Sequence, residues 1–328
     1  MRIGTIGSGV IVDRMIEAVR LSDNMSIEAV YSRTEARAKE FAEKHGVSKY
    51  YFDLDEMLKD PKIDTIYVAS PNSLHFSQSK KALLAGKHVI NEKPFTPTLK
   101  ECDELFRLAE EQGVYIFEAI TNVHLPNMQV VKEHLKDIGN LKFVQCNFSQ
   151  YSSRYQKYAN HEQTNAFDPA FAGGALMDIN VYCLHFVTYL FGRPESIQYI
   201  ANRGYNGIDT SGICILRYPG FVATCVGAKD SSSENHIYLQ GDMGTIRVFG
   251  SSCGVCKQVE FIPPKKDMIG KKDVNETINL GVDQEMHMTY ECAEFERIVS
   301  SRDEEAYASY REQTRLVVSL LEEASNQK

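Results

Sequence analysis

The chain has 328 residues, 43% of them apolar, and its 36 basic against 44 acidic side chains give a formal charge of −8. That length predicts about two domains with sizeable cores, and the acidic balance, without a basic stripe interleaved with aromatics, argues against a nucleic-acid partner. No run reaches the roughly 18 apolar residues of a membrane span, and the start shows no signal-peptide pattern, so a cytoplasmic protein without a membrane partner is expected.

The first third alternates strand and helix patterns. Strands are predicted at Arg2–Ile6, Ile27–Tyr31, Thr65–Ala69, Val89–Asn91 and Tyr115–Ala119, with helices at Val10–Leu21, Thr34–His45, Asn72–Ala85 and Leu99–Gln112. Regular alternation of this kind predicts an α/β fold, a doubly wound parallel sheet covered by helices on both faces. Ligands bind such sheets at the carboxyl ends of the strands, so each strand end is a candidate site.

The first strand end carries Gly7 and Gly9 and opens a helix, the context in which backbone N–H groups can face a pyrophosphate. Gly7, Gly9 and Val10 are the candidate contacts. The third small position of the usual fingerprint holds Val12, which predicts a helix set slightly outward or tilted. At the second strand end, an NAD site wants a carboxylate about 20 residues past the glycines, and this chain has Ser32, Arg33 and Thr34 there, with Arg37 one turn later. Hydroxyls and guanidinium groups suit a 2′-phosphate, so NADP is expected, with NAD as the alternative. Glu28 lies too early in its strand to serve, and Glu35 reads as a first-turn acid that complements the helix dipole.

The third strand end is Ser70-Pro71-Asn72, with Asn72 as a helix cap and His75 on the first turn, predicted to face the same ligand edge. The fourth is Glu92-Lys93-Pro94, where proline ends the ladder and holds two opposite charges at the rim. Taken singly it reads as well as a surface ion pair.

Beyond Asn122 the pattern changes. A helix at Pro126–Leu135 precedes extended segments at Leu141–Tyr151, Ser196–Arg203, Gly212–Tyr218, Phe221–Val226, His236–Gln240 and Thr245–Phe249, which predict a large antiparallel sheet. Helices at Asp283–Ser300 and Ser309–Ala324 close the chain. The expected domains are therefore residues 1–121 and 122–328.

Within the second domain Asp178, Tyr182 and His185 are spaced i, i+4 and i+7, which places them on one face of a mostly apolar helix. A core helix with a satisfied polar stripe explains this as well as a site does. Gly173 and Gly174 ahead of it permit close approach of another molecule. The Tyr151, Arg154, Tyr155 and Tyr158 stretch suits a sugar or arene and equally a subunit contact. The eight cysteines, mostly inside apolar segments, read as free thiols. Cys253 and Cys256 have redox or zinc spacing, but no second pair follows, and no metal site is expected.

The combination of Gly7-Ser-Gly9, Pro71-Asn72-x-x-His75 and Glu92-Lys93-Pro94 resembles the family of glucose–fructose oxidoreductase and myo-inositol dehydrogenase. That resemblance implies a Rossmann domain followed by an α+β domain with a large, mostly antiparallel open sheet. It also implies a Gly-Gly-x-x-x-Asp helix over the nicotinamide. Tyr182 stands where most members have His, and His185 where many have Asp. The chain is most similar to the dimeric dihydrodiol dehydrogenase and NADP-dependent D-xylose dehydrogenase branch, in which a Tyr is the acid/base. It departs from that branch between Glu118 and His124, and throughout, in having no Trp.

The resemblance implies a dehydrogenase or reductase acting on a sugar, polyol or small diol, with Lys93, Tyr182 and Asp178 catalytic and Glu92 positioning the lysine or the ribose. An unperturbed Tyr titrates near ~10, and a cation within ~4–6 Å lowers it by about 1–3 units, a role open to Lys93. His185 competes as the base, with the better intrinsic pKa but one turn further on. A dinucleotide-binding sensor without turnover and a redox-assisted lyase that recycles its cofactor remain alternatives. A homodimer or larger assembly is expected, because the open sheet needs cover on its second face.

Overall fold

A computed structural model describes residues 1–264 and 276–327. It divides into two units: residues 1–120 with 288–319, and residues 121–287 with 320–328.

The first unit runs β1 (Arg2–Ile6), α1 (Val10–Arg20), β2 (Ser26–Tyr31), α2 (Glu35–His45), β3 (Tyr50–Tyr51), α3 (Leu54–Leu58), β4 (Thr65–Val68), α4 (His75–Leu84), β5 (His88–Glu92), α5 (Leu99–Gln112) and β6 (Ile116–Ala119). The strands form one parallel sheet in the order β3-β2-β1-β4-β5-β6. The order reverses between β1 and β4, where the doubly wound fold opens its crevice. Ile3, Ile66, Val68, Val89 and Ile90 are fully buried, as strands covered on both faces require.

The second unit continues with α6 (Pro126–His134), β7 (Leu141–Ser149), α7 (Tyr155–Ala159), α8 (Val181–Phe191), β8 (Ser196–Arg203), β9 (Asp209–Tyr218), β10 (Phe221–Ala228), β11 (His236–Gly241), β12 (Thr245–Phe249), β13 (Gln258–Ile262) and β14 (Ile278–Asn279). These strands form an eight-stranded sheet, antiparallel except for the β10–β7 pair. On one face, Cys214 of β9, Cys225 of β10 and Cys146 of β7 stand side by side in register. The opposite face leaves Phe143 and Ile200 about half exposed.

α9 (Met288–Ser301) and α10 (Glu304–Ser325) end the chain. The sequence led one to expect domains at residues 1–121 and 122–328; in the structure residues 288–319 group with the first unit. Phe295 stacks on Phe117 of β6 at 4.5 Å, Cys292 Sγ lies 3.5 Å from Met15 Sδ, and Arg315 pairs with Asp103 at 2.6 Å. Burying Phe117, Met15 and Phe295 together draws these helices back to the first sheet.

One further expectation is revised. The stretch Pro169–Phe191 is long and apolar enough to cross a membrane by length and composition, contrary to the sequence reading, and 72% of its most apolar window is buried inside the protein. Its apolarity serves a core. All eight cysteines are buried free thiols, as the sequence led one to expect, and Cys253 Sγ lies 3.7 Å from Cys183 Sγ.

Candidate active site

In the first unit the glycine turn is shaped by its own sheet. Gly7 has φ of +118°, and a Cβ there would stand 2.5 Å from the Ala69 carbonyl oxygen, so only glycine fits. Gly9 caps α1 with no side-chain hydrogen bond, and space beside its Cα is open among the described residues. The Val12 N–H donates to the Gly9 carbonyl at 3.0 Å, so the Val10 and Ile11 N–H groups are the ones that could face an anion at the positive end of this 11-residue helix. Val12 is fully buried, and its Cγ2 would stand 3.4 Å from a Cβ added at Gly7. Val10 is 68% exposed beside the turn.

Arg37 reaches back to this turn. Its Nε donates to Ser8 Oγ at 2.7 Å and its guanidinium to the Ser8 carbonyl at 3.5 Å. Arg33 and Thr34 are exposed at the same rim, whereas Ser32 is buried. A cationic rim beside an uncapped helix start fits a dinucleotide bearing an extra phosphate.

The Lys93 turn is held from three sides. Asn91 Nδ2 donates to the Phe95 carbonyl at 2.6 Å, Glu118 Oε1 accepts the Phe95 N–H at 3.1 Å, and His75 Nδ1 meets the Pro94 carbonyl at 3.0 Å. His75 Nε2 lies 2.9 Å from the Ser70 carbonyl, and the ring is fully buried. The imidazole therefore ties two strand ends together instead of facing a ligand. Burial pushes its pKa down, although both carbonyls favour the charged form. The Lys93–Pro94 peptide is cis and Lys93 is half-buried. Pro71 and Asn72 form the turn that opens the 3₁₀ segment Asn72–Leu74 ahead of α4.

Glu92 does not point to the rim either. Strand alternation puts it on the same face as Ile90, whose register partner is Tyr67 of β4, and the Tyr67 hydroxyl donates to Glu92 Oε1 at 2.5 Å. Only 7% exposed, it is pushed by burial to a pKa of about 7 against the pull of Tyr67 and Lys93.

In the second unit the helix expected to carry three aligned polar groups begins with a π-helical turn, Leu176–Asn180, before α8. The wider turn shifts Asp178 out of α-helical phase with His185. His185 is fully buried. Of residues 173–188 only Asp178 and Tyr182 are not buried. The close approach that Gly173 and Gly174 permit is taken by the chain itself: the Gly174 N–H donates to the Ala166 carbonyl at 3.1 Å, and a Cβ on Gly174, at φ of +101°, would strike Asp209.

Tyr182 is set by its surroundings. Asn122, fully buried, donates to the Tyr182 carbonyl at 2.8 Å, and the ring lies 5.7 Å from that of Phe148. Gly254 packs so close that a Cβ there would stand 3.0 Å from the tyrosine ring. Asp178 pairs with Lys229 at 2.7 Å. Lys229 was not legible as a site residue; its side chain is 3% exposed, bonded also to the Ala166 carbonyl at 3.2 Å and set 4.8 Å over the Phe167 ring. Tyr155 and Tyr158 join Phe167 and Ile208 in a small core, leaving Tyr151 as the exposed tyrosine of that stretch.

Comparison with known proteins agrees with this geometry. Residues 1–120 match the model of an oxidoreductase family with an NAD-binding Rossmann fold, and residues 128–247 match the GFO/IDH/MocA C-terminal domain. The chain is 34% identical over 328 residues to scyllo-inositol 2-dehydrogenase (NADP(+)) IolU of Bacillus subtilis, covering 100% of this chain and 97% of that one. It is 30% identical over 257 residues to trans-1,2-dihydrobenzene-1,2-diol dehydrogenase of Sus scrofa, covering 76% and 74% of the two chains. Among solved structures, KijD10, a 3-ketoreductase from Actinomadura kijaniata in complex with NADP, shares the fold at a TM-score of 0.82 and 22% identity, over 97% of this chain and 95% of that one. The chain belongs to the GFO/IDH/MocA family of oxidoreductases, whose first domain is an NAD-binding Rossmann fold.

Proposed function

We propose that the protein is an NADP-dependent oxidoreductase acting on a secondary alcohol or its carbonyl in a polyol, sugar or small diol, with Tyr182 as acid/base and Lys93 and Asp178 assisting. The observation that carries this reading is the exposure of residues 173–188, where Asp178 and Tyr182 alone escape burial. Buried helices keep polar groups at their surface where those groups meet something. The Bacillus relative, an NADP(+) inositol dehydrogenase, and the pig relative, a diol dehydrogenase, support a hydroxylated substrate.

A bound nicotinamide would supply the hydride acceptor or donor. The turn at Gly7–Gly9 and the start of α1 would hold the diphosphate, and Arg37 with Arg33 the 2′-phosphate. The Tyr182 side chain, as phenolate, takes the alcohol proton during oxidation and, as phenol, returns it during reduction. Lys93 donates to the substrate oxygen and stabilises charge that develops there. Asp178, oriented by Lys229, accepts from a neighbouring substrate hydroxyl. A cytoplasmic homodimer or larger assembly forms part of the proposal, supported by the half-exposed apolar face bearing Phe143 and Ile200 and checked by light scattering.

Fluorescence titration with NADPH and NADH tests the cofactor directly. NADPH is expected to bind much the more tightly, and Arg37→Ala to weaken it by about 10–100-fold, the worth of one charge-assisted contact, with little change for NADH. Equal binding of the two by the unmodified protein would overturn the NADP assignment.

A further inference from the structure

Behind the Lys93 turn lies a group of side chains that the proposed reaction does not use. Tyr67 is fully buried and bonded to Glu92, as described. Glu291, in the first turn of α9, is also fully buried, and neither carboxyl oxygen has a hydrogen-bond partner among the described residues. α9 covers the sheet face that carries Tyr67, Ile90 and Glu92, since Phe295 stacks on Phe117, the register partner of Ile90. All of these residues belong to the first unit.

Two carboxyl groups enclosed by apolar packing do not both ionise near neutrality. The titratable and charged groups acting on Glu92 are Tyr67 from β4, Lys93 next in its own chain, Glu118 from β6 and Glu291 from α9, with Cys292 close behind. Burial, then the charge of Glu92, pushes Glu291 well above the usual carboxylate range. Burial, then the charge and hydrogen bond of Glu92, does the same to the Tyr67 phenol. The first proton therefore leaves Glu92, where the Tyr67 hydroxyl and the Lys93 backbone N–H receive the charge, and Glu291 keeps its own.

We propose that Tyr67, Glu92 and Glu291 form a buried proton-holding cluster that sets the charge beside Lys93, with Tyr67 and Glu291 acting as positioning residues. Protonation of Glu92 removes one negative charge from beside the lysine, and ionisation restores it. That this charge matters to turnover rests on the oxidoreductase reading; the experiment reads protons and holds or fails without it.

Infrared titration of the carboxyl C=O band, from pH 5 to 9, should show one buried carboxyl in the unmodified protein that ionises near 7 and another that is harder to ionise. Glu291→Gln should delete the second and leave the first in place. Tyr67→Phe, by removing the donor to ionised Glu92, should move the first upward by about one unit. Competitive acetylation of Lys93, followed by peptide mass over pH, should show its own titration fall by about one unit in Glu92→Gln. Melting temperature supplies a separate check. The folded pKa of Glu291 lies above its unfolded value of about 4.3, so its contribution is complete below that pH and is lost as pH rises towards the folded value. Glu291→Gln should therefore gain stability relative to the unmodified protein from pH 5 to 9. A Glu291→Gln variant that melts lower by the same amount at every pH, an unmoved band in Tyr67→Phe, or unchanged Lys93 acetylation in Glu92→Gln would each overturn the proposal.

Discussion

Replacing Tyr182 with Phe is expected to lower kcat by about 10²–10⁴-fold, the usual cost of losing a general acid/base, while NADPH affinity stays unchanged. The phenylalanine keeps the ring beside Phe148 and under Gly254 and deletes only the hydroxyl. His185→Gln, at a fully buried position, should act through stability and leave the pH profile of the remaining activity in place. If the histidine change alone abolished turnover, the tyrosine assignment would fall. Lys93 and Tyr182 stand in different units, so their joint action is best read kinetically. In a cycle of Lys93→Met, Tyr182→Phe and the double variant, groups serving one transition state lose far less together than the product of their single losses. Strictly multiplicative losses would separate the two roles.

The second large effect concerns stability and has an asymmetry built into it. Lys229 is 3% exposed and Asp178 39%, so the partners of this ion pair do not lose equally when separated. Asp178→Asn strands a buried ammonium with one carbonyl and an aromatic face for company, and should cost about 3 kcal/mol. Lys229→Met leaves a carboxylate that water can reach and fills the pocket with an apolar stem, for about 1 kcal/mol. Urea unfolding of both variants measures the order. Equal losses would show that the lysine is better solvated than its surroundings indicate. On the proposed reading, Lys229→Met should still lower kcat/KM, because Asp178 loses its 2.7 Å contact with the ammonium.

Much of the first unit was legible because its information is local. Apolar strands, glycines at a strand end and Glu92-Lys93-Pro94 are read within a few residues, and strand–helix alternation gives a parallel sheet with right-handed crossovers. What escaped was long-range. Lys229 lies 51 residues from Asp178 and follows a strand with nothing nearby to mark it. The return of α9 depends on Phe295 finding Phe117, a contact that no periodicity encodes. Spacing alone read residues 173–185 as a regular helix, and the π-helical turn at Leu176–Asn180 broke that phase. Short elements such as β3 and β14, two residues each, fall below the length at which alternation can be seen. Glu92 and His75 were identified as residues worth attention, but their direction was not. Which face of a strand is covered is decided by the helices that cover it.

The buried thiols give the protein a clock. None of the eight cysteines meets solvent in the folded state, and they are divided between the units: Cys102 and Cys292 in the first, Cys146, Cys183, Cys214, Cys225, Cys253 and Cys256 in the second. An alkylating reagent in excess can modify each only after its surroundings open, so labelling rates measured peptide by peptide report opening free energies region by region. Cys102 and Cys292 should label together if the N-terminal and C-terminal segments of the first unit open as one body. Separate rates would show that the returning helices detach before the sheet does.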